Sequence, residues 1–287
     1  MQYILFLLFL FSSLESEVLN FNIAMSTKTF FKDEKFSNLV IKVIESSFNN
    51  KYSDVKIHIL PYSSEKKIIS DFFNEKIELI ILSPEFFFKE EQRLKKNISK
   101  KWTVRINNEK YEQYYLITHK DSNASIKNIK NYTVNFRDGV FSAEKWFESL
   151  VYEEHNKSYL RVITKRVYFK KRSKLIYQAF FKKNIVSVVT KNDFDILLEI
   201  NPQLKKNIKI LEKSQKIYLS LLGFSSKKMN KKREETIFTH VTNIDSIMSN
   251  EHYKSLTSLS KVYLLNDKDL NELRIFYKKY EAYEKYE

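Results

Sequence analysis

Apolar positions along this chain fall into short runs separated by amphipathic stretches, which is the order of an α/β protein. The run at 185–189 (IVSVV) is apolar and β-branched, as in a strand buried on both faces. Thr190 closes it, and Asn192 or Asp193 offers an N-cap for a helix whose apolar side is Phe194, Ile196, Leu197, Leu198 and Ile200. Pro202 pushes Asn201 out of helical backbone, so the helix ends there, and a strand at 208–211 follows. Such a unit sets polar residues at the carboxyl end of a parallel strand beside a helix start, where α/β proteins bind ligands.

The same alternation runs through the first third of the chain. A strand is expected at 18–25 (VLNFNIAM), followed by Ser26 and Thr27. A helix capped by Asp33 then runs to about Phe48, with Phe36, Leu39, Val40, Val43 and Ile44 on one face. A second strand at 55–60 ends at Pro61 and Tyr62, and Ser63 or Ser64 caps the next helix through Ile68, Ile69, Phe72 and Phe73. The third strand, 77–82 (IELIIL), leads into Ser83, Pro84 and Glu85. These read as an N-cap, a proline at the first helical position and an acidic first turn. This βαβαβ order predicts a parallel sheet with right-handed crossovers.

Beyond it, 102–119 reads as two strands, the second leading out of the first unit. A short helix at 126–130 follows Ser125, and a strand at 132–136 ends at Arg137, Asp138 and Gly139. Ser142 is expected to cap a helix carrying Trp146, Phe147, Leu150 and Val151. A strand at 161–169 and a helix capped by Ser173 complete a second α/β set. The apolar run at 217–224 (IYLSLLGF) reads as a strand that crosses back, and the tail as a helix with Leu270, Leu273, Phe276, Tyr277 and Tyr280 at helical spacing.

Composition narrows the chemistry. The chain has 287 residues, enough for two domains, and two glycines, Gly139 and Gly223, so no glycine-rich dinucleotide fingerprint, P-loop or nucleophile elbow can be written. It has no cysteine, which excludes disulfides, thiolate catalysis and cysteine-ligated metals. The net charge of +15 comes from lysines scattered along the chain, which fits a solvated surface and argues against a nucleic-acid partner. The run at 3–11 (YILFLLFLF) is too short to span a bilayer. It fits the apolar core of a secretory signal cleaved after Ser16, without the usual positive start. Periplasmic export follows as an expectation.

Catalytic constellations are sparse. The five histidines lack helical metal-ligand spacing; His58 reads as structural and His119 as an interdomain hydrogen bond. Asp193 and Asp195 could pair for acid–base work in a hydrolase or transferase, but both stand at a helix start where aspartate caps. Ser142 and Lys145 have S-x-x-K spacing without its companion motifs, and capping is the better account. No catalytic residue, metal or cofactor is expected. What recurs is a hydroxyl just after a strand or at a helix start: Ser26, Thr27, Tyr62, Ser83, Ser142 and Thr190. Such positions suit an anion, and Arg137 could add a bidentate guanidinium.

Three segments resemble the phosphate/phosphite/phosphonate substrate-binding proteins of ABC transporters: EKIELIILSPEFFFK at 75–89, YYLITHKDSNASIKNIKNYTVNF at 114–136 and FFKKNIVSVVTKNDFDILLEINPQLKKNIKILEKS at 180–214. The resemblance implies the type II periplasmic-binding-protein fold, two α/β lobes joined by a two-strand hinge with the ligand in the cleft between them. Lobe 1 would be 17–116 plus 215–287 and lobe 2 would be 117–214, after a signal peptide at 1–16. It implies a monomer that binds a small anionic ligand through Ser26, Thr27, Tyr62 and Ser83 in one lobe and Arg137, Ser142 and Thr190 in the other. The partner would be an ABC permease, or alternatively a membrane sensor protein. RDGVFSAEKW at 137–146 departs from the family's Ser/Thr/Gly-rich helix start, and Asp138 would repel a dianion unless Arg137 neutralises it.

Overall fold

The computed structural model describes residues 18–27, 34–106, 110–138, 140–219, 221–242 and 259–284. The apolar run at 3–11, the cleavage position after Ser16 and the proposed Asp33 cap lie outside the described residues, as do Gly139 and His252.

The first sheet is built from β1 (Leu19–Ser26), β2 (Val55–Tyr62), β3 (Leu79–Leu82) and β4 (Ile98–Ile106), with β10 (Leu222–Ser226) and β11 (Leu259–Leu265) added from the end of the chain. Its six strands run in the order β11-β4-β10-β3-β1-β2. β1 is parallel to β2 and β3, while β10 is antiparallel to β3 and β4. Helices α1 (Glu34–Lys51), α2 (Glu65–Phe73) and α3 (Pro84–Leu94) connect these strands, and α9 (Lys231–Val241) and α10 (Asp267–Glu284) follow β10 and β11. Two starts follow the local sequence closely. Ser64 caps α2, and Ser83 caps α3 with Pro84 in the first helical turn, where its missing N–H costs nothing.

The second sheet contains β5 (Tyr114–His119), β6 (Thr133–Arg137), β7 (Arg166–Phe169), β8 (Ile185–Thr190) and β9 (Ile208–Lys213), ordered β7-β6-β8-β5-β9. Between them lie a 3₁₀ turn (Ile126–Asn131), α4 (Phe141–His155), α5 (Tyr159–Val162), α6 (Arg172–Phe181), α7 (Lys191–Ile200) and α8 (Gln203–Asn207). β6 is parallel to β7 and β8, while β5 is antiparallel to β8 and β9. The two sheets therefore share one plan. Each has a parallel core of three strands, then a strand arriving from the other lobe inserted antiparallel between the third and fourth. In the described parts of the connections, 110–113 and 214–219, Glu112 and Tyr218 form an isolated bridge and Glu112 N–H donates to Tyr218 C=O at 2.7 Å.

Several expectations change. The run at 217–224 is no continuous strand, because Ile217, Tyr218 and Leu219 are buried by aromatic packing, and pairing in the sheet starts at Leu222. Tyr218 packs on Tyr114 and Phe276 with ring centroids 4.9 and 5.2 Å away. The 161–169 strand splits into α5 and β7, since Ser158 caps a one-turn helix by accepting from Leu160 N–H. α6 starts at Arg172 without a side-chain cap, so Ser173 does not cap it. On α1 the buried apolar side chains among the described residues are Val40, Ile41 and Phe48, whereas Leu39 is exposed. On α7 only Phe194 is buried, and Ile196 and Ile200 face outward. His119 binds locally, accepting from Asp121 N–H at 3.1 Å, and its reading as an interdomain contact is not met. His58 is exposed on β2.

Candidate functional site

Thr190 builds one wall of the site. It ends β8, and its hydroxyl accepts from Asp193 N–H at 3.0 Å, which makes it the N-cap of α7. That cap starts the helix earlier than Asn192 or Asp193 would, and it leaves the Asp193 carboxylate unused by capping. The carboxylate instead meets two guanidiniums. Arg172 Nη1 lies 3.0 Å from Oδ1 and Arg137 Nη1 lies 3.8 Å from Oδ2. Asp195 turns the other way, to Lys191 Nζ at 2.5 Å. Neither aspartate is a cap, and with different partners they do not form an acid–base pair.

Arg137 stands at the end of β6 and Arg172 at the start of α6, so both reach the carboxyl edge of the second sheet. There they border a narrow recess. Its remaining walls are Tyr114, Thr190 and the aliphatic side chains of Val140, Ala143, Leu175 and two valines of β8. β6 is the strand from which the chain turns to opposite sides, first to β7 and then to β8. The recess thus occupies the topological switch point of the sheet. Burial lowers the pKa of the Arg137 guanidinium, and the neighbouring Arg172 charge adds to the effect while Asp193 opposes it. A guanidinium remains cationic throughout.

Behind Tyr114 lies a chain of hydrogen bonds. Its phenol donates to Glu112 Oε2 at 3.0 Å and is 2.6 Å from Ser142 Oγ. With the single phenol proton committed to Glu112, the Ser142 hydroxyl supplies the donor between them. Ser142 is therefore inside α4 and does not cap it; Val140 holds the cap position without a side-chain bond. Burial raises the pKa of the enclosed Glu112 carboxyl, with the Tyr114 hydrogen bond working against the rise. Tyr114 is itself raised well above its ordinary value, chiefly by burial and then by the Glu112 charge.

In the first lobe the expected residues stand at the carboxyl ends of β1, β2 and β3 and do not line this recess. Ser26 is fully buried opposite Tyr62 in the β1–β2 register, and Thr27 next to it is half-buried. Tyr62 donates to Asp71 Oδ2 at 3.1 Å. Ser83 accepts from Phe86 N–H at 3.2 Å, and its hydroxyl donates to Glu65 Oε2 at 3.0 Å. Its backbone N–H also donates to Glu65. The Glu65 carboxylate thus sits where an oxyanion would bind the start of α3. Of the seven residues expected from sequence, Arg137 and Thr190 line the recess and Ser142 adjoins it through Tyr114.

Arg172, Tyr114 and Glu112 were not anticipated. Arg172 obeys the rule that singled out Thr190, a polar residue just after a strand end and at a helix start. Glu112 and Tyr114 gave no such signal, because their role depends on the crossing between sheets.

This double-sheet plan, with an exchanged antiparallel strand in each lobe and a charged recess at a switch point, is decisive. The chain has the type II periplasmic-binding-protein fold. Solved structures of similar shape include a Xanthomonas citri protein bound to ATP, 10% identical, covering 92% of this chain and 98% of that one with a TM-score of 0.63. Another is a binding-protein component of a phosphonate ABC transporter from Pseudomonas aeruginosa, 13% identical over 94% of this chain and 88% of that one, TM-score 0.60. A third is the periplasmic aliphatic sulphonate binding protein from Escherichia coli, 9% identical over 92% and 87%, TM-score 0.55. No protein-family model and no curated protein sequence matches the chain. Among the described residues, no helix is long and apolar enough to cross a membrane, and no group of three or more His, Cys, Asp or Glu could hold a metal ion.

Proposed function

We propose that this protein is a periplasmic solute-binding protein that captures a small anionic solute between its lobes and delivers it to an ABC permease, without chemical turnover. The observation that carries this is the half-buried Arg137, with Arg172 beside it, at the switch point of the second sheet. The similar structures are a phosphonate transporter component, an aliphatic sulphonate binder and an ATP complex, which supports an anionic ligand.

The lobes divide at the two crossings, lobe 1 comprising 17–113 plus 215–287 and lobe 2 comprising 114–214, so the expected change of lobe after 116 moves to the start of β5. Because β5 pairs entirely within the second sheet, the first boundary is drawn just before Tyr114. Ligand capture closes the lobes about these crossings. Arg137 and Thr190 hold the anion from lobe 2, with Ser142 supporting Tyr114, while the half-buried Thr27 and Tyr62 face it from lobe 1; Ser26 is buried and Ser83 is held by Glu65, so these two are not contacts. Export relies on the apolar run at 3–11.

The test is a thermal-shift and calorimetric screen of phosphate, phosphite, phosphonates, sulfonates and carboxylates. A ligand at a hundredfold excess over its Kd should stabilise the fold by about 2.7 kcal/mol. No stabilisation by any of these oxyanions would overturn the reading.

A further inference from the structure

We infer that the outer edge of β2 is a pairing surface for a second copy of this chain, and that Asn49 and Glu45 of α1 hold it shut. The inference goes beyond solute binding and stands without it.

Among the described residues β2 ends the first sheet, with β1 paired on one side and no strand on the other. It is eight residues long and reads VKIHILPY, with Val55, Ile57 and Ile59 buried. An open edge of this length offers another chain a row of backbone donors and acceptors. The remaining edges are shorter or charged. β7 has four residues, β9 carries Lys209, Glu212 and Lys213, and β11 carries Lys261. Short edges and edge lysines both discourage pairing.

Along β2 the protection comes from α1, which acts as a substitute strand. Residues of β2 direct their backbone groups alternately to β1 and outward, and Ile57, Ile59 and Pro61 are outward residues. Ile57 N–H donates to Asn49 Oδ1 at 2.8 Å, and Asn49 Nδ2 donates back to Ile57 C=O at 3.0 Å. The carboxamide thus makes both bonds that a neighbouring strand would make. Ile59 N–H donates to Glu45 Oε1 at 2.5 Å. Pro61 has no N–H to offer. The spacing explains the fit. Four helical residues rise about 6 Å and two strand residues about 6.6 Å, so side chains one turn apart on α1 meet alternate residues of β2. Lys56 Nζ fastens the helix end by donating to the Asn49 and Tyr52 carbonyls. Without Asn49 and Glu45, two β2 edges related by a two-fold axis could pair antiparallel.

The experiment follows self-association of the full chain by sedimentation over a wide concentration range. Wild type should remain a monomer. Glu45→Ala with Asn49→Ala frees the outward groups of Ile57 and Ile59, and should lower the dimer dissociation constant at least about tenfold. Glu45→Gln keeps an acceptor for Ile59 N–H and should stay monomeric. A spin label on His58→Cys, at an exposed position and the only thiol in the chain, should find a second label nearby in the associated double variant and none in wild type. A folded double variant that stays monomeric, or that associates without bringing the labels together, would overturn the inference. So would a wild type that pairs through this edge. Hydrogen exchange on the wild type decides the matter if the double variant does not fold. The Ile57 and Ile59 amides should exchange slowly, and rapid exchange at both would show that the edge stands open.

Discussion

Lys145 Nζ lies 3.1 Å from Glu85 Oε1, and this pair ties α4 of the second lobe to α3 of the first. The Lys145 side chain is 11% exposed and its ammonium also sits 5.8 Å from the Tyr277 ring of α10. Tyr277 stacks on Phe88 at 5.1 Å, so the contact belongs to an aromatic seam between the lobes. Glu85→Gln should remove the Coulombic attraction while keeping the side-chain shape. The variant is expected to scatter X-rays as a more open particle, and its ligand should dissociate faster. Unchanged scattering and unchanged off-rate would show that the pair does not bias closure.

Arg137→Ala should separate binding from stability. Asp193 keeps Arg172 at 3.0 Å, so the substitution does not leave a buried carboxylate unpaired. Affinity for the best anion should fall by roughly a hundredfold, the loss of a charge-assisted bidentate contact. The thermal midpoint should shift much less than for a core truncation. A large drop in the midpoint with little change in affinity would make Arg137 structural.

Glu112 should shape the pH dependence of stability. Burial raises its carboxyl above the ordinary carboxylate range, so the folded state holds this proton more tightly than the unfolded chain does. Its contribution is therefore present below the unfolded value and is lost as pH rises through the folded value. Glu112→Gln keeps an acceptor for Tyr114 and removes the titration. Denaturant unfolding should show the variant gaining on the wild type as pH rises from the acidic range toward neutrality. A difference independent of pH would contradict the assignment.

Gly223→Ala tests the first sheet. A Cβ at this position would lie 1.9 Å from Trp102 Cε2, deep in the ring system of a buried side chain. The indole has no room to retreat without disturbing the β10–β4 pairing, in which Gly223 lies opposite Trp102. The expected cost is about 1–3 kcal/mol or more, read as a lower urea midpoint. A neutral effect would mean that the indole can reorient.

Legibility in the sequence followed the range of the interaction. Ser64 and the Ser83–Pro84 start could be read because a cap satisfies N–H groups two or three residues away. The 185–189 strand could be read because burial on both faces demands an unbroken apolar run. β11 could not, since its partner β4 lies more than 150 residues earlier and pairs with it only after both crossings. The 217–224 run was misread for a related reason: its apolar character serves the aromatic seam around Tyr218 as well as the sheet.

The site shows the same division more sharply. From the sequence alone came the α/β order, the helix starts and the placing of Arg137 and Thr190 at strand ends. Those follow from backbone hydrogen bonding and periodicity, which are local. Only the tertiary structure decided what the side chains do there. A hydroxyl at a helix start looks the same whether it caps, as Thr190 does, or reaches a phenol 28 residues earlier, as Ser142 does. Asp193 reads as a cap until folding brings two arginines from different strand ends against it. Charge interactions act through space, and the fold alone sets those distances.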